Sequence, residues 1–180
     1  MSHPIYYASI TDEARYLEQL ASASKQFIST LREVYPEVEE PPMVTQFSLE
    51  VANYQDWLIN TVSNRLIACA TRMRVLQDSY DFSVEEYPEY SVDKEAFNNI
   101  PKIVEVIKGD FKQSIRECCN KIIHATSYEL EFEKDSFGTE YWTGCCILSG
   151  QRIIKEWSVK LNTMLFCVAI REYIEIIKYM

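Results

Sequence analysis

The chain has 180 residues, of which 47% are hydrophobic and 25% are charged, a composition typical of a globular domain and unlike that of a disordered segment. Its formal net charge of −9 works against tight non-specific binding of nucleic acid, because phosphate contacts need a basic surface, so a nucleic-acid role would need a local basic patch or a basic partner. No apolar run reaches the roughly 18 residues of a membrane span, and the N-terminus lacks the pattern of a secretory signal. We therefore expect a cytoplasmic protein without a membrane partner.

Two long helices are predicted in the first half of the chain. Residues 11–35 begin with Thr-Asp-Glu, which suits a helix N-terminus, and continue with apolar residues at helical spacing. After a proline-rich linker at residues 36–44, the same spacing returns over residues 46–78. The other faces of this second helix carry Arg65, Arg72 and Arg74, a cluster that either pairs with acidic side chains or binds a substrate.

A loop and a third long helix are predicted next. Residues 81–97 are rich in tyrosine and acid and contain Pro88, which favours a loop, with a short helical turn at residues 95–99. Pro101 suits the first turn of a helix over residues 101–125. The predicted core face of that helix consists of Ile100, Val104, Ile107, Phe111, Ile115, Cys118 and Ile122.

The pattern changes after residue 125. Residues 128–135 alternate apolar and acidic side chains as a half-buried strand does, and residues 141–161 predict two strands around a turn at Ser149, Gly150 and Gln151. A closing helix is predicted over residues 162–178. The sequence thus predicts one mainly α domain, residues 1–180. Its bundle of four to five helices comprises residues 10–125 and 162–180, and a small antiparallel β-hairpin or sheet is inserted at residues 127–160.

The six cysteines show no Cys-x-x-Cys spacing, and four of them form adjacent pairs, whose side chains point in different directions on a regular element. We expect buried thiols that act as small hydrophobic residues. The sequence predicts neither a bound metal nor a cofactor.

A polar stripe is predicted on the third helix. Lys112, Arg116, Asn120 and His124 follow one another at intervals of four residues, on the side opposite the predicted core face. Such a set can act on a phosphodiester: His124 as general base or acid, Asn120 to orient a hydroxyl, and the cations Arg116 and Lys112 on phosphate oxygens. Arg65 and Arg72 are further candidates for substrate binding. A polar helix face with a histidine near its C-terminus is also a common structural feature.

The segment Cys119–Asn120–Lys121–Ile122–Ile123–His124 resembles the signature of HEPN domains, in which an arginine and a polar residue are followed, after three residues, by a histidine. Asn120 and His124 match the motif, whereas Cys119 occupies the arginine position and Arg116 lies one turn earlier. The resemblance implies a metal-independent endoribonuclease of bacterial or phage defence or of a toxin–antitoxin system, acting on RNA as a homodimer with both motifs in one cleft. Because the motif arginine is missing, the sequence leaves open whether this chain is active or a catalytically degenerate relative.

Other functions stay open on sequence grounds. A non-enzymatic acidic helical module could bind a basic protein through the loop that interleaves Tyr80, Tyr87 and Tyr90 with acids. A metal-dependent hydrolase is disfavoured because His3, Glu50 and Asp56 do not form a motif. Cys119 is a weak candidate nucleophile, since His124 lies five residues further round the predicted helix.

Overall fold

A computed structural model describes residues 6–36, 44–79 and 91–179. The elements in these ranges are α1 (Tyr7–Val34), α2 (Gln46–Ser79), α3 (Val92–Asn99), β1 (Val104–Lys108), α4 (Ile115–Ile123), β2 (Ser127–Lys134), β3 (Glu140–Arg152), β4 (Lys155–Asn162) and α5 (Thr163–Lys178). The fold is mainly helical, as predicted, but its antiparallel sheet has four strands and is larger than a hairpin. None of the helices in the described ranges is both long and apolar enough to cross a membrane.

The two long helices match their predicted positions closely. Helix α2 has the predicted start, and α1 begins four residues before Thr11, whose hydroxyl donates to the Tyr7 carbonyl (3.0 Å) from inside the helix. The predicted cap is therefore wrong, although the helix itself is confirmed. Both helices bury one apolar face, with Leu17 and Leu66 fully buried, because their apolar residues recur every three or four positions.

The predicted third helix over residues 101–125 is wrong. Its first half forms the edge strand β1, which pairs with β4, and only Ile115–Ile123 is helical. The β-branched residues of β1 favour a strand. Gly109, at φ +82°, follows the last residue of this strand, and α4 begins after its N-cap Ser114. Of the predicted core face, the α4 residues are buried, whereas Ile107 is 54% exposed.

The sheet has the strand order β1-β4-β3-β2, and all its neighbouring strands are antiparallel. The turn predicted at residues 149–151 is wrong, because these residues continue β3 and the chain reverses at Ile153 and Ile154. Gly150 lies directly across from Trp157 in β4. A Cβ at position 150 would lie 2.5 Å from Trp157 Cζ2, so glycine serves here for close packing and not for a turn.

A single main core joins the helices to the sheet. Helix α5, which confirms the predicted closing helix, packs against α1, α3, α4 and β3, and Phe166 and Ile170 are at 0% exposure. Strand β3 also packs against α1, where the Trp142 amide donates to the buried Ser24 hydroxyl (3.0 Å). The sheet is thus held to the bundle by apolar contact, and its β3–β4 end lies beside α4.

Several sequence predictions fall outside the described residues. These are most of the proline-rich linker, the terminal residue His3 and the acidic tyrosine loop with Tyr80, Tyr87 and Tyr90.

Candidate functional site

Helix α4 carries the predicted motif. The Ser114 hydroxyl caps its N-terminus by accepting from the Glu117 amide (3.0 Å), and at its C-terminus the His124 amide donates to the Asn120 carbonyl (3.0 Å). Because Ile115 and Ile122 are buried in the core, the face with Asn120 points away from it. Asn120 and His124 therefore lie one turn apart on the accessible side.

Helix α2 brings a second arginine to this face. Arg74 Nη1 donates to Asn120 Oδ1 (2.6 Å), and Arg74 Nη2 pairs with Asp78 (3.1 Å). Arg116 also pairs with Asp78 through its side chain, and its backbone amide donates to Asp93 (2.7 Å). The hydrogen bond from Arg116, supported by Arg74, lowers the pKa of the Asp78 carboxyl, so this carboxylate stays charged and holds the two guanidinium groups together.

A third cation is held by the sheet. The Lys121 ammonium lies 4.2 Å from the centre of the Trp157 ring and 3.5 Å from Glu117 Oε1. Asn120 Nδ2 donates to the other oxygen of Glu117 (3.4 Å). The Lys121–Trp157 contact thus links α4 to β4.

Between α4 and the β3–β4 hairpin lies a cleft of about 650 Å³. Its α2 and α4 side consists of Arg74, Arg116, Glu117, Asn120 and Lys121, with His124 at the end of the helix. Its hairpin side consists of Gln151, Arg152, Ile153 and Trp157. The lining thus carries four cationic side chains and one carboxylate, although the chain as a whole has a net charge of −9. Asp78 and Glu117 neutralise part of this charge through their ion pairs with Arg74, Arg116 and Lys121, and the remaining positive charge favours an anionic ligand.

The His124 side chain is exposed at the end of α4 and lines this cleft. Its imidazole makes no hydrogen bond to any residue that the structure describes. Imidazole is the side chain that exchanges protons most readily near neutral pH, and the neighbouring cations can offset negative charge that develops on a substrate. The arrangement can therefore bind a phosphate and move a proton.

The predicted site residues separate into two groups. Arg116, Asn120 and His124 line the cleft together. Lys112 precedes α4 in an exposed loop, so the predicted continuous helical stripe does not exist, and Lys112 is not among the cleft-lining residues.

Arg65 and Arg72 lie elsewhere on the molecule. Both pair with Glu13 of α1, at 2.8 and 3.0 Å, and neither lines the cleft. Their position matches the alternative that the sequence left open, in which the cationic face of α2 pairs with acids.

Sequence reasoning missed Arg74, Lys121, Arg152 and Trp157 as members of the cleft. Arg74 was visible in the cationic cluster of α2, but its neighbour in the folded chain, Asn120, is 46 residues away. The hairpin residues reach the cleft only through the register of β3 and β4. No local sequence signal connects them to the α4 motif.

The cysteines do not contribute a reactive group. All six are free and buried, and burial raises the pKa of the Cys119 thiol well above its ordinary value, which opposes a role as nucleophile. In the three ranges that the structure covers, no group of three or more His, Cys, Asp or Glu side chains is arranged to hold a metal ion.

Comparison of the chain with protein-family models, with curated proteins and with solved structures finds no match in any of the three.

Proposed function

We propose that this chain binds RNA in the cleft between α4 and the β3–β4 hairpin and cleaves it without a metal ion. The observation that carries the proposal is that four cationic side chains, an exposed imidazole and an amide line the same cleft of an otherwise acidic protein. Cationic side chains attract the phosphate groups of an RNA backbone, and the 2′-hydroxyl of RNA supplies a nucleophile next to each phosphate.

The proposed reaction needs only the groups of the cleft and the RNA itself. His124 accepts the proton of a 2′-hydroxyl while that oxygen attacks the adjacent phosphorus. The bond from phosphorus to the 5′-oxygen breaks, and this oxygen takes a proton from solvent or from the protonated imidazole. The products are a 2′,3′-cyclic phosphate and a 5′-hydroxyl. Arg116 and Lys121 offset the charge that builds up on the phosphate oxygens during this step.

Arg74 bears on the HEPN resemblance. The residue at the motif's arginine position, Cys119, is fully buried, but Arg74 of α2 places a guanidinium 2.6 Å from the side chain of Asn120. We infer that Arg74 takes the role of the missing motif arginine. A homodimer with two facing clefts, and a role in bacterial or phage defence or in a toxin–antitoxin pair, belong to the same proposal.

The test is RNA cleavage and RNA binding in the presence of EDTA. We expect wild type to produce 2′,3′-cyclic phosphate ends, and His124→Ala to lose about 10²-fold or more in rate, as is typical for a general acid–base group. His124→Ala should retain the far-UV circular dichroism and most of the RNA affinity of wild type. RNA binding without cleavage would reject the catalytic part of the proposal.

Charge variants separate the cleft from the rest of the surface. Arg116→Gln should weaken RNA binding, whereas Arg15→Gln, which removes an exposed arginine of α1 outside the cleft, should leave it unchanged. Equal effects of the two substitutions, or no RNA binding by wild type, would show that the cleft does not recognise RNA.

A further inference from the structure

The tip of the β3–β4 hairpin combines exposed aliphatic side chains with positive charge. Ile153 and Ile154 form the turn and are 89% and 83% exposed, the two most exposed isoleucines of the described chain. Arg152 and Lys155 flank them and are direct cross-strand partners. A surface-exposed turn normally carries small or polar residues, so two adjacent isoleucines at this place call for an explanation.

The backbone of the tip is also unusual. Ile153 has φ +60°, in the left-handed region, and Lys102 is the only other non-glycine residue with positive φ in the described ranges. Two-residue hairpin turns place glycine, asparagine or aspartate at such positions, because a β-branched side chain clashes with its own backbone there. The exposed Ile153 side chain has little packing to offset this strain. Strained backbone conformations of this kind are found most often at functional sites.

The charges at the tip are unbalanced. Like charges directly opposite each other on neighbouring strands repel, and neither Arg152 nor Lys155 forms an ion pair within the part of the chain that the structure describes. Glu156, the adjacent acid, pairs with Lys108 of β1 instead. An anionic ligand would relieve this repulsion.

The tip is continuous with the cleft. Arg152 and Ile153 line the cleft that contains His124 and Arg116, so a polyanion bound there runs towards the hairpin turn. Resting on the proposed function, we infer that the tip is the part of the site that selects single-stranded or looped RNA. Arg152 and Lys155 hold phosphates beyond the cleaved one, and Ile153 and Ile154 pack against unstacked bases.

Aliphatic side chains can contact RNA bases only where those bases are accessible. In an A-form duplex the bases are stacked and the major groove is too deep and narrow for side chains, whereas loops and single strands present splayed bases. Where isoleucine inserts between the base steps of a duplex, it must first unstack them at a cost in free energy, whereas unpaired bases offer the same apolar contact without that cost. The tip thus favours unpaired RNA over a continuous duplex.

The decisive experiment measures binding of two fluorescein-labelled RNAs by anisotropy, one single-stranded and one a blunt duplex of the same strand. The proteins carry His124→Ala to prevent cleavage. We expect Ile153→Gly and Ile154→Ser each to weaken single-strand binding by about tenfold, the loss expected when one aliphatic side chain is no longer covered. Duplex binding should not change. Since glycine accepts φ +60°, Ile153→Gly should fold at least as stably as its parent, which excludes unfolding as the cause.

Matched controls test whether the effects depend on the position of the isoleucine and on the position of the positive charge. Ile107→Ser replaces another exposed isoleucine, on the edge strand β1, and should leave single-strand affinity unchanged. Arg152→Gln should reduce the slope of log Kd against log salt by about one, whereas Lys134→Gln on β2 should not alter it.

Three results would overturn the inference. Unchanged single-strand affinity in both isoleucine variants, together with weaker binding in Arg116→Gln, would leave RNA binding standing without a role for the tip. Wild-type binding to phosphatidylglycerol vesicles that depends on Ile153 and Ile154, without RNA binding, would assign the tip to a lipid surface. No RNA binding by wild type would remove the proposed function and this inference with it.

Discussion

At the scale of single residues, Gly150 allows close packing between the sheet and the end of α4. The two residues are cross-strand partners, and the Trp157 ring lies over Gly150 on one side while Lys121 lies 4.2 Å from its centre. The space next to Gly150 is also bounded by the His124 carbonyl, 2.9 Å from the position of an added Cβ. One missing side chain therefore lets the sheet approach the end of α4.

Adding that side chain should destabilise the fold. We expect Gly150→Ala to lower the free energy of unfolding by about 1–3 kcal/mol, the usual cost of overpacking a buried site, as measured by urea denaturation. Combining it with Trp157→Phe, which lacks the Cζ2 atom that the new Cβ would meet, should cost less than the sum of the two single changes. Additive effects would show that the Trp157 ring is not what excludes a side chain at position 150.

The same residues show how far sequence reasoning reaches. The sequence predicts Asn120 and His124 as neighbours because a spacing of four residues on a helix fixes their relation locally, and both line the cleft. Arg74 could not be assigned to them, since its contact with Asn120 depends on how α2 packs against α4. Gly150 was interpreted as a turn residue because glycine is common in turns, and only the cross-strand register reveals the indole above it.

At the scale of elements, α4 is short for a helix that carries a site. It has nine residues, fewer than an isolated helix needs to be stable in water, so its ends and its buried face must hold it. The Ser114 cap fixes the N-terminus, and Glu117 at the third helical position completes a Ser-x-x-Glu sequence. The capping hydrogen bond at Ser114 thus helps to hold Asn120 and His124, which lie six and ten residues further along the chain.

Removal of this cap should be costly. Ser114→Ala should destabilise the protein by about 1 kcal/mol, within the range of 0.5–2 known for such caps, and should weaken RNA binding by displacing α4. Ser91→Ala is the matched control, because Ser91 precedes α3 but makes no capping hydrogen bond with its side chain. Equal thermal shifts for the two variants would contradict the role assigned to Ser114.

Element prediction succeeded where one pattern covers a long segment and failed where two patterns compete. Helices α1, α2 and α5 follow from sustained apolar spacing. Residues 101–114 contain apolar residues compatible with a helix, but also the β-branched set of β1, and pairing with the otherwise open edge of β4 decides in favour of the strand. That pairing joins residues 50 or more positions apart, such as Val104 and Leu161, and no local window of the sequence contains both.

At the scale of the whole molecule, the three arginines of α2 serve two separate purposes. Arg74 lines the cleft, whereas Arg65 and Arg72 tie α2 to α1 through Glu13. Burial raises the pKa of Glu13, but the hydrogen bonds and charges of Arg65 and Arg72 outweigh this effect and lower the pKa below its ordinary value of 4.5. The folded state therefore prefers the charged carboxylate more strongly than the unfolded chain does.

The sign of the resulting pH dependence is fixed by that shift. A carboxyl with a depressed folded pKa stabilises the fold fully above its unfolded pKa, and the contribution is lost as the pH falls through the folded value. At pH 7, Glu13→Gln should reduce the free energy of unfolding by about 1–2 kcal/mol, a range at the lower end for bonds to charged groups because both arginine side chains are about 40% exposed. Urea denaturation at intervals from pH 7 to pH 3 should show the difference from wild type shrinking below pH 4.5.

Asp12→Asn, which removes a neighbouring exposed carboxylate, should change stability little at any pH. A difference between wild type and Glu13→Gln that stayed constant down to pH 3 would mean that Glu13 holds the helices by packing alone, and that the charges of Arg65 and Arg72 are available for another partner.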